Sequence, residues 1–244
     1  MFFYHCSCFI EIFNLILYFV CHGDDNINKE KNFTIVEVKR FLGFAFESNV
    51  YLIKADKIAI IDTGTGFYSD SLIKEIGTEN IDYIILTHEH FDHCGGVKAL
   101  KEISNAKVMA HKNASETLEK GLDWSASLFN AVQPKISIDR KLDDSDTIDL
   151  GNVILKVIYT PGHSKGSMCL YDEGSKSLFS GDTIFAYGGL GRTDFFGGNR
   201  EELKKSVRKL ASLQVNNLYP GHGEFILNNG QSHIEMALKN LYWL

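Results

Sequence analysis

His88, His90, Asp92 and His93 fall within six residues, in the run Thr87-His88-Glu89-His90-Phe91-Asp92-His93-Cys94-Gly95-Gly96. Imidazole and carboxylate are the donors that Zn²⁺ and similar divalent ions accept. Four such donors in one short loop can hold two ions side by side. So many ionisable groups between apolar stretches are hard to explain without metal. The chemistry to expect is therefore metal-assisted.

Three further polar residues stand beside glycine, each just after a β-patterned segment. His163 lies in Thr160-Pro161-Gly162-His163-Ser164, Asp182 in Ser180-Gly181-Asp182-Thr183, and His222 in Tyr219-Pro220-Gly221-His222-Gly223. Glycine permits backbone conformations that turn a neighbouring side chain inward over a sheet edge. A lone histidine of this kind is usually a satisfied turn residue. The joint occurrence of all three with the His88–His93 cluster is what carries weight.

These residues must be positioned by strands and helices legible in the apolar pattern. Phe33 to Val38, Asn49 to Ala55 and Lys57 to Ile61 read as strands, with a hairpin turn at Ala55-Asp56. A helix is predicted from Ser69 to Ile76, stopped by Gly77. Tyr83 to Leu86 is a continuous apolar strand of the type buried on both faces. The histidine-rich loop leaves its C-terminal end, where α/β proteins favour active sites. A helix at Gly95 to Ile103 and a strand at Lys107 to Ala110 follow. Residues 112–135 are ambiguous, with Ala114 to Lys120 helical in pattern. Strands return at Thr147 to Leu150, Val153 to Tyr159, Met168 to Tyr171 and Ser177 to Phe179. The helix at Arg200 to Ser212 has Asn199 as its cap, with Glu202 three residues on. Asn217 to Tyr219 is a short strand, and a last helix runs from about Gln231 to Leu241. Strands in two groups, each followed by helices, imply two sheets packed face to face with helices outside.

The motif order resembles the metallo-β-lactamase superfamily over essentially Phe33 to His233. The HxHxDH signature is His88-x-His90-x-Asp92-His93, and the distal His163, Asp182 and His222 follow in order. The resemblance implies an αββα four-layer sandwich (two mixed β-sheets) and a two-metal site. By carry-over, His88, His90 and His163 hold one ion, Asp92, His93 and His222 the other, and Asp182 bridges both. Two such ions about 3.5–4 Å apart can share a hydroxide, because metal lowers the pKa of water from about 15.7 to about 7. Asp92 is the expected orienter of that nucleophile. Two Zn²⁺ per chain are expected, with Fe²⁺ and Mn²⁺ also compatible with nitrogen and oxygen donors. Asp62, in Ile61-Asp62-Thr63-Gly64, reads as a carboxylate bracing the ligand loop, with a plain turn residue as the alternative. Glu89 lies between ligands and is expected to point away without a role. Cys94 is expected to be a buried structural thiol, and His111 to be solvent-facing or satisfied locally. His5, His22 and His233 carry no supporting context.

Within the superfamily, the best-known zinc β-lactamases place cysteine where Asp182 stands, which disfavours antibiotic hydrolysis, and the flavin-linked diiron oxygen reductases place glutamate at the position of His90. The segment Gly191-Arg192-Thr193-Asp194-Phe195-Phe196-Gly197-Gly198 resembles glyoxalase II-like hydrolases of the short type, and also persulfide dioxygenases that use one iron. Tyr219-Pro220-Gly221-His222-Gly223 is closer to the hydrolases. The expected function is hydrolysis of a thioester or related ester-type bond. A mononuclear iron persulfide dioxygenase and a non-catalytic binding module of the same fold are the alternatives. Full glyoxalase II proteins add a C-terminal helical domain that grips glutathione. Here 22 residues follow His222, which argues against glutathione thioesters. Arg192 is read either as a contact for an anionic substrate group or as a salt-bridge partner of Asp194.

The bulk numbers set limits. At 244 residues and 44% apolar, the chain can bury a substantial core. Acidic residues outnumber basic ones, 31 to 25, for a net charge of -6, which disfavours nucleic acid as partner and leaves a small-molecule substrate. Of five cysteines, Cys6, Cys8 and Cys21 crowd the start, and Cys94 and Cys169 lie far apart. That is no disulfide framework, so a reducing, cytoplasmic setting is expected. Residues 1–32 form an apolar extension and polar linker ahead of a domain over 33–244. Its apolar run has no preceding Lys or Arg and is interrupted by His5, Glu11 and Asn14. A signal or anchor, an extra packed helix and a mis-called start all remain open. Membrane contact is expected only if this segment is a real anchor.

Overall fold

The computed structural model describes residues 10–12, 15–21, 33–41, 46–77 and 80–243. Among these residues one sheet runs in chain order: β1 (Ile10–Ile12), β2 (Leu15–Cys21), β3 (Phe33–Phe41), β4 (Val50–Lys54), β5 (Ile58–Ile61), β6 (Tyr83–Leu86), β7 (Lys107–His111) and β8 (Arg140–Leu142). Its first five strands pair antiparallel and the rest pair parallel. The second sheet holds β9 (Thr147–Asp149), β10 (Ile154–Tyr159), β11 (Met168–Asp172), β12 (Ser177–Gly181) and β13 (Asn217–Pro220). Here only β12 and β13 run parallel. Both sheets are mixed, as the family resemblance implies.

Period-two alternation explains the layers. On β5, Ala59 and Ile61 face the core between the sheets, while Ile60 faces the outer core. On β11, Met168 and Leu170 face inward and Cys169 and Tyr171 outward. The first sheet's outer face is covered by α1 (Ser69–Ile76), the short α2 (Phe91–Cys94), α3 (Val97–Ile103) and α4 (Lys112–Lys120). The second sheet's outer face is covered by α5 (Arg200–Ala211) and α6 (Gly230–Asn240), through Leu203, Val207, Leu210, Ile234 and Ala237. The result is the αββα sandwich.

Sequence boundaries agree closely for α1, β6 and α5, and Asn199 Oδ1 accepts the amides of Glu201 and Glu202 at 3.0 and 3.1 Å. The ambiguous stretch resolves into α4 and a 3₁₀ turn at Trp124–Phe129, and the edge strand β8 follows it. Residues 15–21 form a strand paired with Phe33–Phe41, so the sheet extends before Phe33 and, of the three readings open for this segment, the extra packed helix is not the one seen. The polar linker from Gly23 to Asn32 lies outside the described residues. Among the described residues, no helix is long and apolar enough to cross a membrane.

Candidate metal centre

Every sequence-predicted ligand arrives at one edge of the sandwich. The β6 strand delivers His88 to His93 through a turn into α2. His163 follows β10, Asp182 follows β12, and His222 follows β13. The two sheets are tied together there: Tyr51 on β4 donates its hydroxyl to the Pro220 carbonyl at 2.7 Å, and the Asn49 amide donates to Gly221 O at 2.6 Å. Gly221 is required, since a Cβ at that position would collide with Asp182 Oδ1 and with His93.

The donor atoms group as the carry-over implies. His88, His90 and His163 offer one set, Asp92, His93 and His222 another, and His88, His93 and Asp182 link the two, each set within 4.8 Å. Asp182 spans both groups: its Oδ1 is 3.3 Å from His93 Nε2, and its Oδ2 is 3.6 Å from His163 Nε2 and 3.5 Å from His222 Nε2. His163 Nε2 stands 2.9 Å from His90 Nδ1, and His93 Nε2 stands 3.2 Å from His222 Nε2.

The remote ring nitrogens are held by hydrogen bonds that set the donor atoms. His93 Nδ1 donates to Asp62 Oδ2 at 2.8 Å. The Thr87 hydroxyl donates to the same oxygen at 2.8 Å, and its own oxygen accepts from His88 Nδ1 at 3.1 Å. One buried carboxylate therefore orients two histidines and leaves both Nε2 atoms aimed at the centre. Asp62 is itself held by the Thr87 amide at 2.8 Å and adopts a left-handed conformation at φ 58°. This supports its bracing role over a plain turn. His163 Nδ1 donates to the Arg192 carbonyl at 2.8 Å.

Electrostatics prepare the same donor set. Burial pushes His88 well below the usual histidine range and, with His163 beside it, takes His90 down to about 3, so both rings are neutral. Burial also opposes charge on Asp182, but His222 and His93 outweigh it and hold that carboxyl well below its usual range. The His93 ring is driven the other way: burial lowers it, and Asp182, Asp62 and Asp92 together raise it far more. His88 Nε2 and Asp182 Oδ1 are buried without a hydrogen-bond partner. Buried polar atoms left bare are costly. The neutral His88 and His90 rings and the ionised Asp182 carboxylate are donors of the kind a divalent cation takes, and His93 would give up its proton on binding one. The residues fit metal.

Other expectations meet mixed outcomes. Cys94 is buried, and Gln133 Nε2 donates to its sulfur at 3.0 Å. His111 takes the second of its two expected states: it is buried and held locally, accepting the Asn113 amide at 3.2 Å and stacking on Tyr159 at 4.0 Å. Arg192 pairs with Asp194 at 2.7 Å, both exposed. Glu89 does point away from the ligands, but it is not idle. Its buried carboxylate accepts from Ser164 Oγ at 2.8 Å and from the Gly166 amide, clipping the first ligand loop to the His163 loop. The sequence reading also assigned nothing to Trp124 and Phe195, whose rings stand 6.4 and 6.1 Å from His90. Their aromatic type within unpatterned loops was the available signal.

The sandwich with a histidine–aspartate cluster at its loop edge defines a metallo-hydrolase class. Residues 43–222 match the family described as the metallo-beta-lactamase superfamily, and the chain belongs to it. A probable metallo-hydrolase of Methanocaldococcus jannaschii is 35% identical over 192 residues, covering 75% of this chain and 90% of the relative. A hydroxyacylglutathione hydrolase of Francisella philomiragia is 34% identical over 84% of this chain and 73% of its own length. The human acyl-coenzyme A thioesterase MBLAC2 is 32% identical over 60% of this chain and 62% of its own. Among solved structures, the BLEG-1 B3 metallo-beta-lactamase superposes with a TM-score of 0.71 at 29% identity, covering 80% of this chain and 95% of that one. TTHA1623 in a di-iron-bound form gives 0.68 at 28% identity, covering 79% and 96%.

Proposed function

We propose that this metallo-hydrolase cleaves thioesters at a dinuclear centre occupied by zinc. The observation that carries the reading is the convergence of two complete donor triplets linked by Asp182. His88, His90 and His163 would hold one ion, Asp92, His93 and His222 the other, with Asp182 shared. Bound there, the metals would supply a Lewis acid and lower the pKa of water to about 7. The chain's own residues do the rest. Asp62 and Thr87 fix two rings in the tautomer that presents Nε2. Asp92, whose Oδ2 lies 3.1 Å from His222 Nε2, is the carboxylate assigned to orient the attacking water and take its proton. Water adds to the thioester carbonyl, the C–S bond breaks, and the proton passes to the departing thiolate. Thioester chemistry is supported by the names of the thioesterase and hydroxyacylglutathione hydrolase relatives.

The second reading, a one-iron persulfide dioxygenase, would leave the Asp92–His93–His222 triplet without use. The di-iron-bound neighbour supports iron as an alternative occupant of a two-metal site. Elemental analysis of protein purified without added metal, paired with a thioester assay, separates these readings. About two equivalents of zinc per chain and hydrolysis abolished in His88→Ala and Asp182→Asn are expected. One tightly held iron, with oxygen consumed in the presence of a persulfide, overturns the proposal.

A further inference from the structure

An aromatic wall borders the candidate metal centre. Trp124, at the start of the 3₁₀ turn, meets Phe195 edge-on at 4.8 Å. Phe195 comes from the far-separated Gly191–Gly198 loop. Its ring is 6.1 Å from His90 and 6.5 Å from His163. Both histidines are buried, whereas Trp124 and Phe195 are partly exposed. The two rings therefore flank His90 at a partly exposed position. Neither belongs to any of the three hydrophobic cores. Phe196, the residue after Phe195, and Leu128, four residues beyond Trp124, are also exposed. The Arg192 guanidinium, 4.1 Å over the Phe195 ring, is engaged by Asp194 and adds no net charge.

Exposed apolar surface joined to a reactive polar centre fits a ligand with one polar reacting end and one apolar arm. Aromatic rings are efficient platforms for such an arm. Two buried donors at this boundary, Trp124 Nε1 and His90 Nε2, also lack partners within the protein. We infer that Trp124 and Phe195 form an acyl-chain subsite, so that the substrates are thioesters of hydrophobic acyl groups. This inference rests on the thioesterase reading above and goes beyond it by naming the acyl half.

The test uses the metal-loaded full chain and acyl thioesters of one small thiol, from acetyl to decanoyl. For each methylene that reaches the wall, kcat/KM is expected to rise about three- to fourfold. Trp124→Ala and Phe195→Ala should each flatten that slope, which is the readout rather than the absolute rate. A second measurement needs no turnover. In a Trp243→Phe background, a non-hydrolysable decyl thioether should shift the Trp124 emission to shorter wavelength, and an ethyl thioether should not. Hydrolysis of acetyl and decanoyl thioesters at equal rates, with no emission shift, sinks the acyl subsite and leaves the thioesterase reading standing. Loss of all thioester hydrolysis, with metal loaded, sinks both.

Discussion

A single carboxylate, Asp62, orients His93 directly and His88 through the Thr87 hydroxyl. Asp62→Asn leaves a shape that fits but replaces one acceptor oxygen with a donor. Metal affinity or activity should fall about 10- to 100-fold. Competition with a chromophoric chelator measures the affinity, and a wild-type value would remove Asp62 from the scheme. Glu89 gives a second case. Burial pushes its carboxyl up to about 7, and only Ser164 and nearby amides offset that cost. Glu89→Ala should loosen the His163 loop and weaken metal binding by roughly tenfold. Glu89→Gln keeps an acceptor for Ser164 and should recover most of the loss. Equal affinity in the Ala and Gln variants would deny the clip. The contrast between these residues shows what a sequence reveals. Asp62 sits at a strand end, two residues before Gly64, a position that suggests a purpose. Glu89 is adjacent to two ligands, and local alternation says only that it points away from them. The partner that gives it a role, Ser164, lies 75 positions along the chain.

Strands and helices were more readable than the loops between them. The continuous apolar run of β6 and the caps of α1 and α5 are local signals, and they mark those elements closely. The 3₁₀ turn at Trp124 has no apolar period, and β8 is three residues long, so neither announces itself. Asn199 illustrates a readable cap. Asn199→Ala removes an acceptor for two amides and should cost about 1 kcal/mol, seen as a lower urea midpoint at unchanged slope. Metal content should hold, because the backbone bond from the Asn199 amide to the Gly162 carbonyl, 2.8 Å, survives the change. At the end of β7, burial lowers the pKa of His111. The unfolded chain then binds the proton more readily, so stability is lost as pH falls below the unfolded value of about 6.5. In metal-free protein, His111→Gln should make the decline between about pH 7 and pH 5 shallower. An identical pH profile would mean that His111 is not a source of acid sensitivity.

The candidate centre joins the two halves of the sandwich. His88, His90, Asp92 and His93 come from the first sheet, and His163, Asp182 and His222 from the second. In the absence of cation, His88 Nε2 and Asp182 Oδ1 stay buried at that seam without partners, which is costly. Metal would partner them and cross-link the two halves, and because the unfolded chain has no such site, binding energy becomes folding energy. With free metal about 1,000-fold above the dissociation constant, one site contributes about 4 kcal/mol. For a chain of this size that corresponds to on the order of 10 °C in Tm. Chelation should therefore lower the calorimetric Tm by at least this amount, and re-addition of zinc should restore it. His88→Ala, which removes a donor from two of the three linked triplets, should retain only part of the response. If the melting temperature is the same with and without chelator, these side chains do not join the sheets through metal, however well their positions suggest it.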